Sequence, residues 1–272
     1  MAGDNDGWTR VKPSKWANHL RSANKAANLP GPPGPRPESA NQAVVDQLRH
    51  DFDTIRSDLD ACFSQDELRG IFAAYVAAYS QSGQHPVTQI VCFGIGCFDH
   101  PDGNWQAKRA SYCQLAALLL IAAELEKTRE GKAFNIIFQE PAFNVNDIAF
   151  IKSLGHTVVD APEGNKHINA NTLFYGPHLY YQLYAEALQG ALPVIYVGSG
   201  IDFWELNTHF LPANHPVTMA PLKKIFTEYQ RFEFPEVKSG LIFYKTYICL
   251  RPPKAEGEAD SEAELCTRMS VL

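Results

Sequence analysis

The stretch Val91–Phe98, VCFGIGCF, decides how the rest of the chain is interpreted. It begins as a short, continuous apolar run, which is typical of a strand buried on both faces of a parallel sheet. The run ends in Gly94-Ile-Gly96. Glycines at such a point allow the backbone either to approach a ligand closely or to turn a tight corner. The stretch therefore predicts a buried strand at 88–93 whose carboxyl end is a binding turn or a packing corner.

Strand-like and helix-like segments alternate outward from this stretch. Further strands are predicted within 134–140, 156–160, 171–178, 193–200 and 240–250, and helices within 105–126, 145–154, 179–188 and 220–230. Apolar residues at steps of three and four between Val44 and Leu59 predict a helix, and the capping box Ser64-x-x-Glu67 predicts a second one. Short apolar strands separated by helices indicate an α/β fold. We expect a doubly wound, mostly parallel, Rossmann-like sheet with an N-terminal helical addition.

The two ends of the chain differ in composition from the middle. Residues 1–40 contain the tract NLPGPPGPRPES and carry six Lys or Arg against three Asp or Glu. Residues 254–272 carry two basic and five acidic residues. We predict disordered tails at both ends and one α/β domain over 41–253, with the helical addition at 41–80 and the sheet core at 88–250. Trp8 and Trp16 mark the first tail as a candidate docking peptide for protein partners, which the sequence does not identify.

The overall composition excludes some classes of protein. The chain has 272 residues and a formal net charge of −6, which gives no footprint for specific nucleic-acid binding. Its most apolar helical stretch, Leu115–Ala123, is shorter than the roughly 20 residues that cross a bilayer. The first residues lack the apolar core of a signal peptide, and the six cysteines show no metal or disulfide spacing. We therefore expect reduced thiols and no association with a membrane. We expect the protein in the cytoplasm and also in the nucleus.

The candidate site lies at the carboxyl ends of the strands, where open parallel sheets bind their ligands. Polar or glycine residues end four predicted strands there. The candidate ligand-binding residues are Gly94, Gly96, Glu140, His178, Gly198 and Ser199. No catalytic residue is identified, because VGSGID is not the GxSxG of a nucleophile elbow. The histidines lack ligand spacing, so no metal site is predicted.

Three interpretations of the Gly94-x-Gly96 turn remain open. A dinucleotide fingerprint needs a third glycine at the mouth of a helix; none follows here, and Asp99 and Asp102 would repel a diphosphate. Two glycines followed by an acid at the next strand end are also typical of S-adenosylmethionine-dependent methyltransferases, although Glu140 lies 44 residues beyond Gly96. The third interpretation is a tight corner that lets the strand and its neighbours pack closely. S-adenosylmethionine and a nucleotide are thus the candidate ligands, and the third interpretation requires neither.

Four segments in order resemble the sensitivity-to-red-light-reduced (SRR-like) domain family. They are VCFGIGCF, YCQLAALLLIAAELE, QEPAFNVNDIAFIKSLGHTVV and NTLFYGPHLYYQLYAEAL. The resemblance covers about residues 88–200, and its most specific piece is the Pro177-His178 segment. The matched positions are Gly94, Gly96, Gln114, Leu115, Pro141, Asp147, Thr172, Pro177 and His178.

The resemblance implies regulation, with no established reaction. Members of the family are implicated in circadian-clock input, in the regulation of haem biosynthesis and, in yeast, in microtubule stability. This chain has Glu140 where the family usually has Asp, Gly176 where Met is frequent, and Leu179 where Cys follows the histidine. The last change removes a His-Cys pair, so thiolate-bound haem is not expected. We favour a regulatory protein with a Rossmann-like cleft that binds a small nucleotide-like ligand or has lost one; the alternative is an S-adenosylmethionine-dependent transferase using Gly94, Gly96 and Glu140.

Overall fold

A computed structural model describes residues 39–81, 87–127, 129, 132–206, 219–237 and 241–253 of the protein. The helices are α1 (Gln42–Arg56), α2 (Gln65–Gln81), α3 (Trp105–Glu126), α4 (Val145–Ser153), α5 (Tyr181–Ala187), α6 (Ile201–Leu206) and α7 (Ala220–Glu228). The strands are β1 (Gln89–Phe93), β2 (Ile137–Gln139), β3 (Thr157–Val158), β4 (Thr172–Gly176), β5 (Ile195–Ser199), β6 (Gln230–Glu233) and β7 (Thr246–Leu250). Short 3₁₀ turns lie at Leu59–Ala61 and Glu163–His167.

The seven strands form one sheet in the order β3-β2-β1-β4-β5-β7-β6. The first five are parallel, and β7 runs antiparallel to both β5 and β6. The strand order reverses between β1 and β4, whose register pairs Val91 with Phe174. This reversal is the point at which doubly wound sheets leave a crevice for ligands. It places the carboxyl ends of β2, β1, β4 and β5 side by side.

Both faces of the sheet are covered, as the doubly wound prediction requires. Along β1, Ile90 and Cys92 join the core packed against α1 to α4, whereas Val91 and Phe93 join the core packed against α5 and α7. The same alternation in β4, β5 and β7 produces two cores, one on each face. Successive side chains point to opposite faces of a strand, so the continuous apolar runs in the sequence are explained by burial on both sides.

The helical addition consists of α1 and α2 and packs against α3. The Asn41 side chain caps α1 by accepting a hydrogen bond from the Ala43 amide. Tyr112 in α3 donates to the Leu48 carbonyl at 3.1 Å, and Lys108 Nζ lies 2.6 Å from Asp51 Oδ2. These contacts hold the addition on the face of the sheet that α3 covers.

Local signals set several element boundaries correctly. α3 begins and ends where the sequence predicts it. Gly155, with φ +88°, follows the end of α4 and acts as the predicted stop. Half of the predicted capping box is present, since the Glu67 amide donates to Ser64 Oγ at 3.3 Å. By contrast, β2 is shorter than expected, and the sequence did not reveal β6, whose exposed Gln230, Arg231 and Glu233 hide its strand character.

One expectation about the cysteines is wrong. The structure joins Cys62 and Cys113 in a disulfide, whereas all six cysteines were expected to be reduced thiols. Cys92, Cys97 and Cys249 are free and buried. The spacing of 51 residues concealed the pair, because only the packing of the helical addition on α3 brings the two residues together.

The predicted tails, including Trp8 and Trp16, lie outside the described residues. Within the described part of the chain, none of the helices is both long and apolar enough to cross a membrane.

Candidate functional site at the carboxyl edge of the sheet

The Gly94-x-Gly96 turn is tied to Glu140 by hydrogen bonds. Gly94 and Gly96 both have positive φ angles, +66° and +79°, a conformation that glycine adopts most readily. The Gly96 amide donates to Glu140 Oε2 at 2.8 Å, and the Ala142 amide donates to Glu140 Oε1 at 2.8 Å. β1 and β2 are neighbours, so the 44-residue separation in sequence becomes a direct contact. Both carboxylate oxygens of Glu140 are engaged by the protein's own backbone.

Burial and hydrogen bonding have opposing effects on the pKa of Glu140. Desolvation raises the pKa of its carboxyl group, and the hydrogen bonds from Ala142 and Gly96 act in the opposite direction. The net direction is upward. The carboxylate is thus held in place by two amides in surroundings that do not favour its charge.

A second carboxylate fixes the loop that follows the glycine turn. Asp147, fully buried in α4, accepts hydrogen bonds from the Phe98 and Asp99 amides at 2.8 Å each. It also completes a capping box with Asn144, whose backbone amide donates to Asp147 Oδ2 at 2.9 Å. Desolvation raises the pKa of Asp147 against the effect of these three bonds. We call Glu140 and Asp147, with the amides that they bind, the carboxylate half of the edge.

Leu179 fills the space between β1 and β4. A Cβ atom placed on Gly94 would overlap Leu179 Cδ2, and one placed on Gly176 would lie 2.6 Å from Leu179 Cδ1. The Leu179 side chain is itself buried, with 4 % of its surface exposed. The two glycines at the point of strand reversal therefore make room for a leucine of the same chain.

Tyrosines close the edge around β4 and β5. The Tyr184 hydroxyl donates to the Gly176 carbonyl at 2.5 Å and accepts from the Ser199 amide at 2.8 Å. Tyr196 donates to the Ser199 carbonyl at 2.9 Å, and a Cβ on Gly198 would lie 2.6 Å from the Tyr196 hydroxyl. These four residues, Tyr184, Tyr196, Gly198 and Ser199, form the aromatic half of the edge. Gly198 and Ser199 are buried within β5 and are in contact with these tyrosines.

His178 lies at the surface beyond Leu179. It has a positive φ of +58°, and its Nε2 lies 2.9 Å from the Ile242 carbonyl oxygen, to which it is hydrogen-bonded. Desolvation lowers the pKa of the imidazole and this bond opposes the shift; because the residue is exposed, water relieves part of the desolvation. The neighbouring Tyr180 is 55 % exposed. His178 is thus the polar candidate residue at this edge that the described structure leaves open to solvent.

The structure places the six sequence-predicted residues along one edge but gives them different surroundings. Gly96 and Glu140 are bonded to each other, Gly94 contacts Leu179, and Gly198 and Ser199 contact tyrosines. His178 bonds to the loop before β7, and no hydrogen bond joins it to Glu140 among the residues that the structure describes. Within those residues, no group of three His, Cys, Asp or Glu side chains could hold a metal ion.

The residue that sequence reasoning missed is Leu179. Its position after His178 was noted only because a cysteine is absent there. A signal was nonetheless present: Gly94 and Gly176 end two predicted strands, which the structure shows to be neighbours. Two strand-end glycines side by side require either a ligand or a large side chain to fill the space above them.

Comparison with known proteins gives one family. A family model described as the SRR1 domain matches residues 54–256, which include the whole sheet. Comparisons with curated proteins and with solved structures find no match.

Proposed function

Because the chain belongs to the SRR1 domain family, we propose that it is a regulatory protein that acts by binding at the carboxyl edge of its sheet and has no catalytic activity. The observation that carries this proposal is the position of Leu179, which closes the crevice at the strand reversal. Clock input and the control of haem biosynthesis are the settings that the family resemblance suggests for this regulation.

Leu179 confines binding to the surface of the edge. In doubly wound sheets the crevice at the strand reversal receives the ligand, and here the Leu179 side chain fills the space over Gly94 and Gly176. The backbone donors nearby, such as the Gly96 amide, are already bonded to Glu140. A nucleotide-like ligand would therefore bind across the rim instead of deep between the strands.

His178 is the residue that we assign to contact with such a ligand. Its Nε2 is hydrogen-bonded to the Ile242 carbonyl oxygen. The second ring nitrogen, Nδ1, is therefore the one that we assign to a polar group of the ligand. Because a carbonyl oxygen only accepts, Nε2 carries the ring proton, and Nδ1 of the neutral imidazole is left to accept a hydrogen bond from the ligand. Tyr180, two residues further on and 55 % exposed, offers an aromatic surface for a base.

Thermal-shift measurements on the full chain test this assignment. ATP, NADH, S-adenosylmethionine and haem would each be added in turn, since a ligand of the folded state raises the melting temperature. We expect a nucleotide to raise it and His178→Ala to remove the shift. His50→Ala, at an exposed position of α1, is the matched control and should retain it. The absence of a shift with every compound, or a shift that survives in His178→Ala, would contradict the proposed site.

A transferase that uses S-adenosylmethionine is the second candidate, and the strand order favours it. The sheet has the order of a dinucleotide-binding fold, 3-2-1-4-5-6, with an antiparallel strand inserted between β5 and β6. Folds of this order bind dinucleotides at the strand reversal, and S-adenosylmethionine carries the same adenosine group. However, both Glu140 oxygens are bonded to backbone amides, and Leu179 fills the place of the ligand, so the residues present do not fit an adenosyl group.

Leu179→Ala separates the two functions. If the crevice is an adenosyl site, the wild-type chain should bind S-adenosylmethionine and transfer its labelled methyl group to protein or small-molecule acceptors in an extract. We expect neither from the wild-type chain. Methyl transfer by the wild-type chain that Glu140→Gln abolishes would overturn the regulatory proposal, whereas binding gained only in Leu179→Ala would support a crevice that the leucine has closed.

A further inference from the structure

The disulfide between Cys62 and Cys113 connects two parts of the domain. Cys62 follows the 3₁₀ turn of the helical addition, and Cys113 lies in α3. Their Cα atoms are 6.4 Å apart, a separation that disulfides ordinarily span. We propose that this pair is a reversible, redox-sensitive link that sets how firmly the helical addition is held on the sheet.

The addition has non-covalent contacts that do not depend on the link. Tyr112 donates to the Leu48 carbonyl and Lys108 pairs with Asp51, so α1 stays bound to α3 when the disulfide is reduced. The two cysteines are 51 residues apart and enclose α2 and β1. Closing a chain segment of this length restricts the unfolded state. The link therefore adjusts the stability of the addition without creating its position.

The surroundings of Cys62 favour reversible exchange. Arg109 Nη2 donates to Cys62 Sγ at 3.3 Å, and a guanidinium stabilises the thiolate that reduction releases. Two free cysteines have raised thiol pKa values. Burial raises the pKa of Cys97 to about 11, with Asp147 adding to the effect, and burial raises the pKa of Cys249 to about 12. These thiols remain protonated and unreactive at neutral pH.

The exchange balances with glutathione disulfide as the oxidant. The Cys62 thiolate attacks one sulfur of glutathione disulfide, the S–S bond breaks, and one glutathione leaves as a thiolate that takes up a proton. Cys113, as a thiolate, then attacks the Cys62 sulfur of the mixed disulfide and releases the second glutathione. Two protein thiols are oxidised and one glutathione disulfide is reduced. Because Cys62 is only 2 % exposed, the exchange requires local opening of the segment that carries it.

Differential alkylation in glutathione buffers tests the link. The full chain would be equilibrated over a range of reduced to oxidised glutathione, quenched, alkylated after unfolding, and mapped by mass spectrometry. We expect the Cys62 and Cys113 peptides to change state together at one ratio, while Cys92, Cys97 and Cys249 stay alkylated throughout. Cys62 and Cys113 that remain thiols at every ratio, or that stay joined in excess dithiothreitol, would overturn the proposal.

The melting temperature gives an independent measurement. Reduction of the wild-type chain should lower it by roughly 5–15 °C, as expected for a loop of this length in a domain of this size. Cys97→Ala, which removes a buried thiol outside the pair, should keep this redox-dependent difference, and Cys113→Ala should abolish it. If Cys113→Ala does not fold, the proposal is still tested by the melting-temperature difference between oxidised and reduced wild type and by its retention in Cys97→Ala. Equal melting temperatures for the reduced and oxidised wild type would overturn the proposal.

Discussion

Around β1 and β2 the carboxyl edge of the sheet is closed by carboxylates, whereas around β4 and β5 it is closed by tyrosines. In the carboxylate half, Glu140 and Asp147 accept hydrogen bonds from backbone amides. In the aromatic half, the hydroxyls of Tyr184 and Tyr196 bond to the backbone of Ser199. Leu179 lies between the halves and contacts the glycines at the ends of β1 and β4.

The two halves bind backbone groups with side chains that differ in their response to pH and to substitution. Both halves satisfy backbone groups that strand ends leave unpaired. The carboxylate half does so with carboxyl groups whose pKa values burial raises, while burial raises the pKa of Tyr184 and keeps its hydroxyl protonated. We therefore expect the two halves to respond differently to substitution and to pH.

Gly94→Val should have the largest effect on stability, because it disrupts the contact between Gly94 and Leu179, where the two halves meet. A valine would overlap Leu179 and would be forced into a positive φ. Overpacking and backbone strain together should lower the free energy of unfolding by about 4 kcal/mol in urea titrations. Gly190→Val, where a side chain meets no neighbouring atom within 4 Å, is the control and should cost under about 1 kcal/mol. A similar loss in both variants would indicate that Leu179 does not close the corner.

Asp147→Asn should have the next largest effect and tests the carboxylate half. The substitution removes the charge that three backbone amides bind and turns an amide group toward donors. A loss of about 3 kcal/mol is expected from the urea midpoint. Asp53→Asn on the exposed face of α1 should change the stability by less than about 0.5 kcal/mol. An Asp147→Asn variant as stable as this control would show that the amides find other partners.

Tyr184→Phe should cost less and tests the aromatic half. It keeps the ring but removes the hydroxyl that bonds to Gly176 and Ser199. Leaving two buried backbone groups unpaired should lower the free energy of unfolding by about 2 kcal/mol. Tyr180→Phe, at an exposed tyrosine, should have almost no effect. Equal stabilities of the two variants would mean that water replaces the lost hydroxyl.

The pH dependence should show the smallest effect and separates the halves most directly. The folded-state pKa of Glu140 is raised above its ordinary value of 4.5, so the folded chain binds more protons than the unfolded chain between the two values. The contribution of Glu140 to stability is therefore full below pH 4.5 and is lost as the pH rises through the folded-state pKa. Urea titrations from pH 4 to 7 should show a smaller fall in stability with rising pH for Glu140→Gln than for the wild type. Tyr184→Phe should keep the wild-type slope; an unchanged slope in Glu140→Gln would contradict the upward shift.

The sequence predicts the parallel core of this fold well, because burial on both faces leaves a local mark. The runs around Val91 and Phe174 are continuous and apolar, and the SRR1 family match confirms the resemblance. β6 could not be found in this way, since its outward residues are polar and its pairing with β7 depends on contacts distant in sequence.

The candidate site was predictable only as a set of positions. The sequence identifies Gly94, Glu140 and His178 as strand-end residues, and parallel pairing brings those strand ends together. It does not tell that Glu140 bonds to Gly96 or that Leu179 fills the space, because both depend on side-chain packing across the strand reversal. The Cys62–Cys113 link was missed for the same reason.

The two outermost strands have a consequence for the behaviour of the protein at high concentration. β3 has two residues, and β6 exposes Gln230, Arg231 and Glu233. An edge strand with free backbone groups can recruit a strand from another molecule, and short or charged edges prevent it. Each side of this sheet carries one of these protections. A variant with Arg231→Val and Glu233→Val would remove the second, and it should make the chain prone to aggregation through β6.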